Sequence, residues 1–250
     1  NDYVSGEGFK RYLSTLKDRS HSIWKEVENS IKDYNPSVVG ISAKTQNFVS
    51  ASIVAKIAKE INPDIKIIVG GVHPTMNGSK VLDCKDIDFL SIGEGEKTIV
   101  EILHALEKNT ELNSVKGIVF KDNGKIINTK SQSYVENLDT LDFPLTNASK
   151  VLRDFDKYPK EAFGYIFASR GCPYACTFCE SKSMWTRKVR YRSPENVVAE
   201  LKQMNEFGIK RVNFDDDTFG VSKKNIKSIN DLLHQELPNM TYTCETVVQL

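Results

Sequence analysis

The stretch Arg170-Gly171-Cys172-Pro173-Tyr174-Ala175-Cys176-Thr177-Phe178-Cys179 carries three cysteines at the spacing C-x₃-C-x₂-C. It directly follows Ser169 and the apolar run Tyr165-Ile166-Phe167-Ala168, which is typical of a buried strand. In barrels built from alternating strands and helices, functional groups lie at the carboxyl ends of the strands. The sequence therefore predicts a strand that leads into a functional loop with three thiols.

Three thiolates on one short loop can hold three irons of a [4Fe–4S] cluster and leave the fourth iron open. A zinc site would need a fourth nearby ligand, whereas Cys84 and Cys244 are distant and no histidine lies near the triplet. A disulfide framework needs an even number of cysteines in a small chain, but this chain has 250 residues and five cysteines. The spacing favours an open-iron cluster over incidental cysteines or zinc.

With Phe178 just before the last cysteine, and with Ser169-Arg170-Gly171 in front, the stretch resembles the radical S-adenosylmethionine (SAM) superfamily. In that superfamily SAM chelates the open iron, and the reduced cluster cleaves SAM to a 5′-deoxyadenosyl radical. The resemblance implies that the metal ligands and catalytic residues are Cys172, Cys176 and Cys179. It also implies that Phe178 packs near the cluster and the adenine of SAM.

The bulk composition excludes several other classes. The 34 basic and 33 acidic residues nearly cancel, so nothing favours a nucleic-acid or membrane-surface partner. No apolar window reaches the ~18 residues of a transmembrane helix. Clustered reduced thiols indicate a reducing, cytoplasmic compartment. The chain starts at Asn1 without an apolar leader, so we expect a fragment start or a processed chain.

The first half alternates helical and strand patterns. Apolar residues at three-to-four spacing predict two helices before Asn35-Pro36, and later helices over 49–61 and 96–106. Strands are predicted over 38–41, 65–69 and 89–92. This alternation predicts an α/β fold in which residues 1–130 form an N-terminal doubly wound Rossmann-like domain. Domains of this type bind ligands beyond the carboxyl ends of their strands. The turn Asp122-Asn123-Gly124 predicts a hairpin at about 115–128.

The predicted strand ends carry candidate binding residues, which are Ser42, Thr45, Gly70, Gly71, His73, Glu94 and Gly95. Singly each is a weak signal, because glycines after strands usually only form the turn. His73 alone is most often a packed or solvated loop histidine. Together, over residues 20–108, their order resembles the cobalamin-binding domain that precedes the barrel in a large radical SAM subfamily. The resemblance implies that these seven residues contact cobalamin.

Two departures from that subfamily leave an alternative open. The D-x-H-x-x-G signature, whose histidine ligates cobalt, is absent, and the Ser-x-Leu signature is replaced by Ser42-Ala43-Lys44. The first strand that normally precedes these motifs is also not recognisable in residues 1–16, so we expect a truncated N-terminus. The alternative is a domain that kept the fold and lost the cofactor.

The second half begins with a polar segment over 131–160, which predicts an interdomain linker. Residues 161–250 then predict the first three or so βα units of an incomplete radical SAM (βα) partial TIM barrel. Its predicted strands cover 162–168, 211–214 and 242–246. Ser193-Pro194-Glu195 begins a helix with a serine cap, proline at the first position and an acid in the first turn.

Three adjacent carboxylates, Asp215-Asp216-Asp217, follow the second predicted strand. They repel one another unless cations or donors compensate, and a helix cap, a solvated turn or, less favourably, a magnesium site would each use them. The run from Phe214 to Phe219 resembles the F-x-D-D-x-F segment that holds the amino group of SAM in many family members. The resemblance implies SAM contacts by Asp216, Asp217 and, on the third strand, Glu245. Cys244 is expected to be a small core residue.

The resemblances imply a cobalamin-dependent radical SAM enzyme of methyltransferase or oxidoreductase type, with a [4Fe–4S] cluster, SAM and cobalamin as cofactors. Methyl transfer to an unactivated carbon is the leading expectation. Oxidative cyclisation or rearrangement, with or without cobalamin, is the first alternative. A non-SAM iron–sulfur electron-transfer module is an alternative from another class. The implied partners are a small-molecule substrate and an electron donor such as flavodoxin or ferredoxin.

Overall fold

The computed structural model describes residues 5–247. Its backbone contacts divide the chain into two compact units, Asn1–Tyr134 and Val135–Leu250. The division falls inside the segment that the sequence predicts as a linker. Within the described part of the chain, no helix is long and apolar enough to cross a membrane.

The first unit is a five-stranded sheet with helices. Its helices and strands, in chain order, are α1 (Gly6–Lys17), α2 (Ser22–Tyr34), β1 (Val38–Ser42), α3 (Phe48–Ile61), β2 (Lys66–Gly70), α4 (Val72–Asn77), β3 (Phe89–Ser91), α5 (Gly95–Lys108), β4 (Ile118–Asp122) and β5 (Lys125–Asn128). The strand order is β1-β2-β3-β4-β5, and β1, β2 and β3 are parallel. β4 and β5 form an antiparallel hairpin, and Asn123 and Gly124 take the positive φ angles that its turn needs.

Both faces of this sheet are buried, because successive side chains of a strand point to opposite faces. Ile67 and Val69 pack with Trp24 of α2 and Ala55 of α3 on one face. Ile68 packs on the other face, in a second cluster that includes Ile102 of α5. Helices therefore cover both faces, which confirms the α/β Rossmann-like class that the alternating pattern predicts.

The residues after β2 form a short helix where the sequence indicates only a loop. The N–H and the hydroxyl of Thr75 both donate to the carbonyl of Gly71, at 3.4 and 2.8 Å, and so close the first turn of α4. Pro74 lies in that first turn, where its missing N–H costs no helical hydrogen bond. A helix of only six residues, flanked by Gly71 and containing Pro74, cannot be predicted from the spacing of apolar residues alone.

Replacing Gly71 with alanine is expected to destabilise the chain by about 1–3 kcal/mol. Gly71 has φ +95° and ψ −164°, a region essentially restricted to glycine, and a Cβ there would lie 3.0 Å from the carbonyl oxygen of Ala43. Urea denaturation measures the change. The control Gly40→Ala, in β1, should be nearly neutral, since its Cβ would meet nothing within 4 Å. Equal losses for both variants would contradict the strain at Gly71.

The second unit contains two sheets. Its helices and strands are α6 (Pro144–Val151), β6 (Tyr165–Ile166), β7 (Ser169–Arg170), α7 (Ser181–Trp185), β8 (Arg190–Tyr191), α8 (Pro194–Phe207), β9 (Arg211–Phe214), α9 (Lys223–Glu236) and β10 (Thr241–Cys244). One sheet has three parallel strands in the order β10-β9-β6, and β7 and β8 form an antiparallel pair. Parallel strands joined through α8 and α9 are the repeating unit expected of the predicted barrel.

The local caps of α8 follow the sequence prediction. Ser193 Oγ accepts a hydrogen bond from the N–H of Asn196 at 3.2 Å, and Pro194 is the first helical residue. Gly208 ends the helix with φ +105°. Val197, Leu201 and other buried residues of α8 then pack on Phe214 of β9.

Two predictions differ from the structure at the start of this unit. The strand predicted over 162–168 is reduced to β6, because a 3-10 turn at Lys160–Phe163 precedes it. The predicted linker also contains helix α6, which begins at Pro144 and buries Ala148. The helix has few apolar residues among its polar ones, so its sequence has the composition of a loop and does not indicate a helix.

Candidate functional site

The cysteine loop begins at β7, whose residues Ser169 and Arg170 pair with Tyr191 and Arg190 of β8. Gly171 follows with φ +107°, and a Cβ there would lie 2.5 Å from the carbonyl oxygen of Lys188. Only glycine fits this close approach without displacing backbone. The glycine thus allows the chain to turn away from the strand pair directly before Cys172.

The three thiols of the loop are all free. Cys172 is half-buried, and Cys176 and Cys179 are exposed. The N–H of Cys179 donates to the carbonyl of Cys176 at 3.2 Å. The ring of Phe178 is 89% exposed, so it is available to cover a bound group.

The three thiols belong to one short loop. Across residues 5–247, no three His, Cys, Asp or Glu side chains gather to hold a single metal ion. A structural zinc site requires such convergence on one ion. In an iron–sulfur cluster each thiolate ligates a different iron, so the three sulfurs stay apart. Three free thiols on one loop are the donor set that such a cluster needs.

Asp216 lies just beyond β9 and is buried. One carboxylate oxygen accepts the N–H of Ala168 at 3.0 Å, and the other accepts the hydroxyl of Ser169. Burial raises the pKa of Asp216, and the hydrogen bonds from Ser169 and Ala168 oppose that rise. The carboxylate therefore ties the end of β9 to the backbone that leads into the cysteine loop.

Asp217 is placed differently and remains accessible to solvent. Partial burial raises the pKa of Asp217, and the nearby backbone N–H of Gly171 lowers it. Its carboxylate thus lies beside the residue that precedes Cys172. The structure brings Asp217 close to the cysteine loop, and both oxygens of Asp216 bind the protein, while the SAM contacts of the two residues stay predictions.

The end of β10 joins the same region. The carbonyl of Glu245 accepts the N–H of Phe219 at 2.9 Å, and the Glu245 side chain is exposed. Cys244 is exposed rather than in the core, so its assignment as a core residue was wrong. Burial and the charge of Asp216 raise the pKa of the Cys244 thiol. Its place on the last strand of the sheet, whose outer side no described strand covers, explains the exposure.

In the first unit, the ends of β1 and β2 lie side by side. A Cβ on Gly71 would be 3.1 Å from Ser42 Oγ, and the N–H of Ala43 donates to the carbonyl of Gly70 at 2.8 Å. Thr75 Oγ1 accepts the N–H of Gly93 at 3.0 Å, which joins the turn after β2 to the turn after β3. Most of the predicted cobalamin residues therefore share one edge of the sheet.

His73 stands at this edge in a fixed orientation. Its Nδ1 is 3.1 Å from Thr45 Oγ1, and its ring stacks on Phe48 with centroids 4.1 Å apart. Burial lowers the pKa of His73, so the imidazole is neutral at pH 7. Thr45 thus contacts the ring of His73, although the two residues are 28 positions apart in the sequence.

Ser91 and Glu94 complete the edge. Ser91 Oγ is buried, and no residue in the described range 5–247 offers it a hydrogen bond. An unpartnered buried hydroxyl is costly unless a ligand or water satisfies it. Glu94 is buried directly before α5, which Gly95 begins. Ser91 has no distinctive signal in the sequence, because it lies within an apolar strand.

A second group missed from sequence is Arg192 with Glu200. Arg192 Nη1 lies 2.5 Å from Glu200 Oε2 and donates to the carbonyl of Phe167 at 2.8 Å. Asn196 Oδ1 accepts Arg192 Nε at 2.6 Å. Phe167 immediately precedes the two residues held by Asp216, so an ion pair and a carboxylate together fix the backbone that leads to the cysteine loop.

Each half of the chain matches a known protein family. Residues 2–103 match the family described as B12 binding domain, and residues 166–249 match the Radical SAM superfamily. The uncharacterized methyltransferase PH0819 of Pyrococcus horikoshii is 36% identical over 95% of this chain and 54% of its own length. The anaerobic magnesium-protoporphyrin IX monomethyl ester cyclase of Rubrivivax gelatinosus is 33% identical over 71% of this chain and 32% of its own length.

Solved structures share the fold. The cobalamin-dependent SAM radical enzyme OxsB, bound to aqua-cobalamin and SAM, superposes with a TM-score of 0.70 at 22% identity over 87% of this chain and 31% of that one. The methyltransferase TsrM from Kitasatospora setae, with cobalamin and a [4Fe–4S] cluster, gives 0.65 at 17% identity over 85% and 44%.

The chain joins a B12-binding Rossmann-like domain to a radical SAM domain. It belongs to the radical SAM superfamily, in the subfamily whose members carry a cobalamin-binding domain. It spans between about a third and about half of the length of the curated relatives cited above.

These domains imply a [4Fe–4S] cluster, SAM and cobalamin. The residues present fit them. Three free thiols on one loop suit a cluster. In the first unit, the unpartnered hydroxyl of Ser91 lies at the end of β3, and the Cβ of Ser91 is next to Gly70 of β2. A ligand with hydrogen-bonding groups would satisfy that hydroxyl.

Proposed function

We propose that this protein is a cobalamin-dependent radical SAM enzyme that transfers a methyl group to an unactivated carbon of a small molecule. The observation that carries the proposal is the loop of three free thiols beside the acidic turn after β9, in a chain that also matches a B12-binding domain. When bound, the cluster and SAM supply a carbon-centred radical and cobalamin supplies the methyl group; the protein binds and orients them.

Each residue then has a role. Cys172, Cys176 and Cys179 would hold three irons, and Phe178 would cover the bound cluster. The carboxylate of Asp217 would accept hydrogen bonds from the ammonium of SAM, and Glu245 would assist it from β10. Asp216 acts as a positioning residue, because its two oxygens already hold Ala168 and Ser169.

In the first unit, the proposed cobalamin site is the sheet edge formed by the ends of β1, β2 and β3. The side chains that contact cobalamin in this proposal are Ser42, Thr45, His73, Ser91 and Glu94. The imidazole of His73, whose pKa burial lowers, is held by Thr45 and by its stacking on Phe48. The cluster would need an external electron donor, such as flavodoxin or ferredoxin.

Names of relatives support methyl transfer. Besides PH0819, the hopanoid C-3 methylase of Methylococcus capsulatus is 25% identical over 94% of this chain. The cytidylyl-2-hydroxyethylphosphonate methyltransferase of Streptomyces wedmorensis is 26% identical over 77%. Their substrates differ in kind, so methyl transfer is the shared element and the substrate is left open.

The direct test is anaerobic reconstitution of the full protein with iron and sulfide, followed by EPR of the reduced sample with and without SAM. We expect a [4Fe–4S]⁺ signal whose line shape changes when SAM is added, because SAM binds the open iron. Zinc in place of iron, or no cluster at all, would refute the proposal. A signal indifferent to SAM would favour the electron-transfer alternative.

Oxidative cyclisation is the second candidate, since the cyclase of Rubrivivax gelatinosus is also similar to this chain. The products of SAM separate the two reactions. Methyl transfer yields both S-adenosylhomocysteine and 5′-deoxyadenosine, whereas cyclisation yields 5′-deoxyadenosine without S-adenosylhomocysteine. Chromatography of a reduced reaction with cobalamin and SAM therefore decides between them, with cobalamin-free protein as the control.

A further inference from the structure

Thr218 is held against one of the three proposed cluster ligands. Its Oγ1 lies 3.3 Å from the Sγ of Cys172, and the Thr218 side chain is buried. Thr218 lies in the F-x-D-D-x-F segment, but at the second x, a position for which the motif specifies no residue type. The hydroxyl of Thr218 is therefore close enough to form a hydrogen bond with the sulfur of Cys172.

The position of Thr218 is fixed from both sides. Two residues before it, Asp216 binds Ala168 and Ser169. One residue after it, the N–H of Phe219 donates to the carbonyl of Glu245 at 2.9 Å. With its backbone held at both ends and a stiff β-branched side chain, Thr218 keeps its oxygen near Cys172.

The hydroxyl proton has two acceptors. In the structure, Thr218 Oγ1 donates to its neighbour, the carbonyl of Asp217, at 2.6 Å, and the Cys172 thiol can donate to Thr218. When Cys172 binds iron it is a thiolate and has no proton to donate. The hydroxyl can then rotate toward the sulfur without moving its oxygen. Hydrogen bonds to ionised acceptors are roughly twice as strong as neutral ones, which favours that rotation.

We infer that Thr218 donates a hydrogen bond to the Cys172 thiolate in the cluster-loaded protein and thereby raises the reduction potential of the cluster. This inference rests on the proposed function, because it requires the cluster. Hydrogen bonds to cluster sulfurs are one of the factors that set the potential, together with charge and exposure. A donor stabilises the reduced cluster more than the oxidised one, because reduction increases the negative charge on the sulfurs.

The test is an EPR-monitored redox titration of the full protein with Thr218→Val, which has nearly the same shape and lacks the hydroxyl. We expect reduction of the cluster to become about three- to tenfold less favourable; tenfold corresponds to a downward shift of about 59 mV for a one-electron couple. Thr218→Ser retains the hydroxyl and should stay close to the unmodified protein. The matched control is Thr243→Val, which should leave the reduction potential unchanged. The hydroxyl of Thr243 donates to the side chain of Asn213 at 2.8 Å.

Iron and sulfide content are measured on every sample. No cluster in the unmodified protein would refute the proposed function itself. A full cluster with an unchanged potential in Thr218→Val would overturn only the inference, because the hydroxyl would then remain on the Asp217 carbonyl. A higher potential in that variant would also overturn it, since the oxygen would then present a lone pair to the sulfur.

Discussion

Replacing Cys176 with alanine is expected to reduce bound iron from about four atoms per chain to below about one after reconstitution. Cys176 is an exposed free thiol in the middle of the loop. Without it, only Cys172 and Cys179 remain, and two thiolates leave two irons of a four-iron cluster open to solvent and loss. Iron and sulfide assays, with the absorbance of the cluster, measure the effect.

The chain offers two matched controls, because Cys84 and Cys244 are also free. Alanine at either position should leave the iron content unchanged, since neither belongs to the loop. Full iron content in Cys176→Ala would show that another side chain replaces it as ligand. Loss of iron in Cys244→Ala would assign the fourth position to that thiol and contradict an iron left open for SAM.

The elements that local sequence determines were predictable. The three-to-four spacing in α3 and the Ser193-Pro194 cap of α8 encode their helices through contacts within a few residues. The Asn123-Gly124 turn likewise specifies its hairpin. The cysteine spacing is also local, so the loop and its class of chemistry followed from a single stretch.

What could not be predicted depends on contacts distant in sequence. Asp216 resembles a ligand-binding residue by motif, yet its bonds to Ala168 and Ser169 span 48 and 47 positions. The contact of Cys172 with Thr218 spans 46 positions, and no pattern near either residue indicates it. Helices α4 and α6 were missed for the opposite reason, since they are too short to show periodicity.

Arg192 and Glu200 form a buried ion pair near the backbone that leads to the cysteine loop. Glu200 is 3% exposed, and burial raises its pKa, opposed by the charge of Arg192. The guanidinium also binds Asn196, and it lies over the ring of Phe143 at 5.6 Å. Removing one partner of such a pair leaves an uncompensated buried charge, which is far costlier than losing an exposed pair.

Arg192→Leu is therefore expected to lower the free energy of unfolding by about 3–5 kcal/mol at pH 7. Urea denaturation of the cluster-free protein, followed by circular dichroism, measures the loss. The control is Lys227→Ala, which removes an exposed pair with Asp231 and should leave the free energy of unfolding nearly unchanged, because exposed pairs contribute little. The double variant Arg192→Leu with Glu200→Leu should regain part of the stability, because the buried charge is gone.

The pH dependence identifies the charge as the cause. Because the folded pKa of Glu200 is raised above its ordinary value of 4.5, protonation favours the folded state. That contribution is complete below pH 4.5 and is lost as the pH rises through the folded pKa. Removing Arg192 raises this pKa further, so the deficit of Arg192→Leu should be smaller at pH 5 than at pH 8. A deficit that does not change with pH would attribute the loss to packing and to the freed Phe167 carbonyl instead.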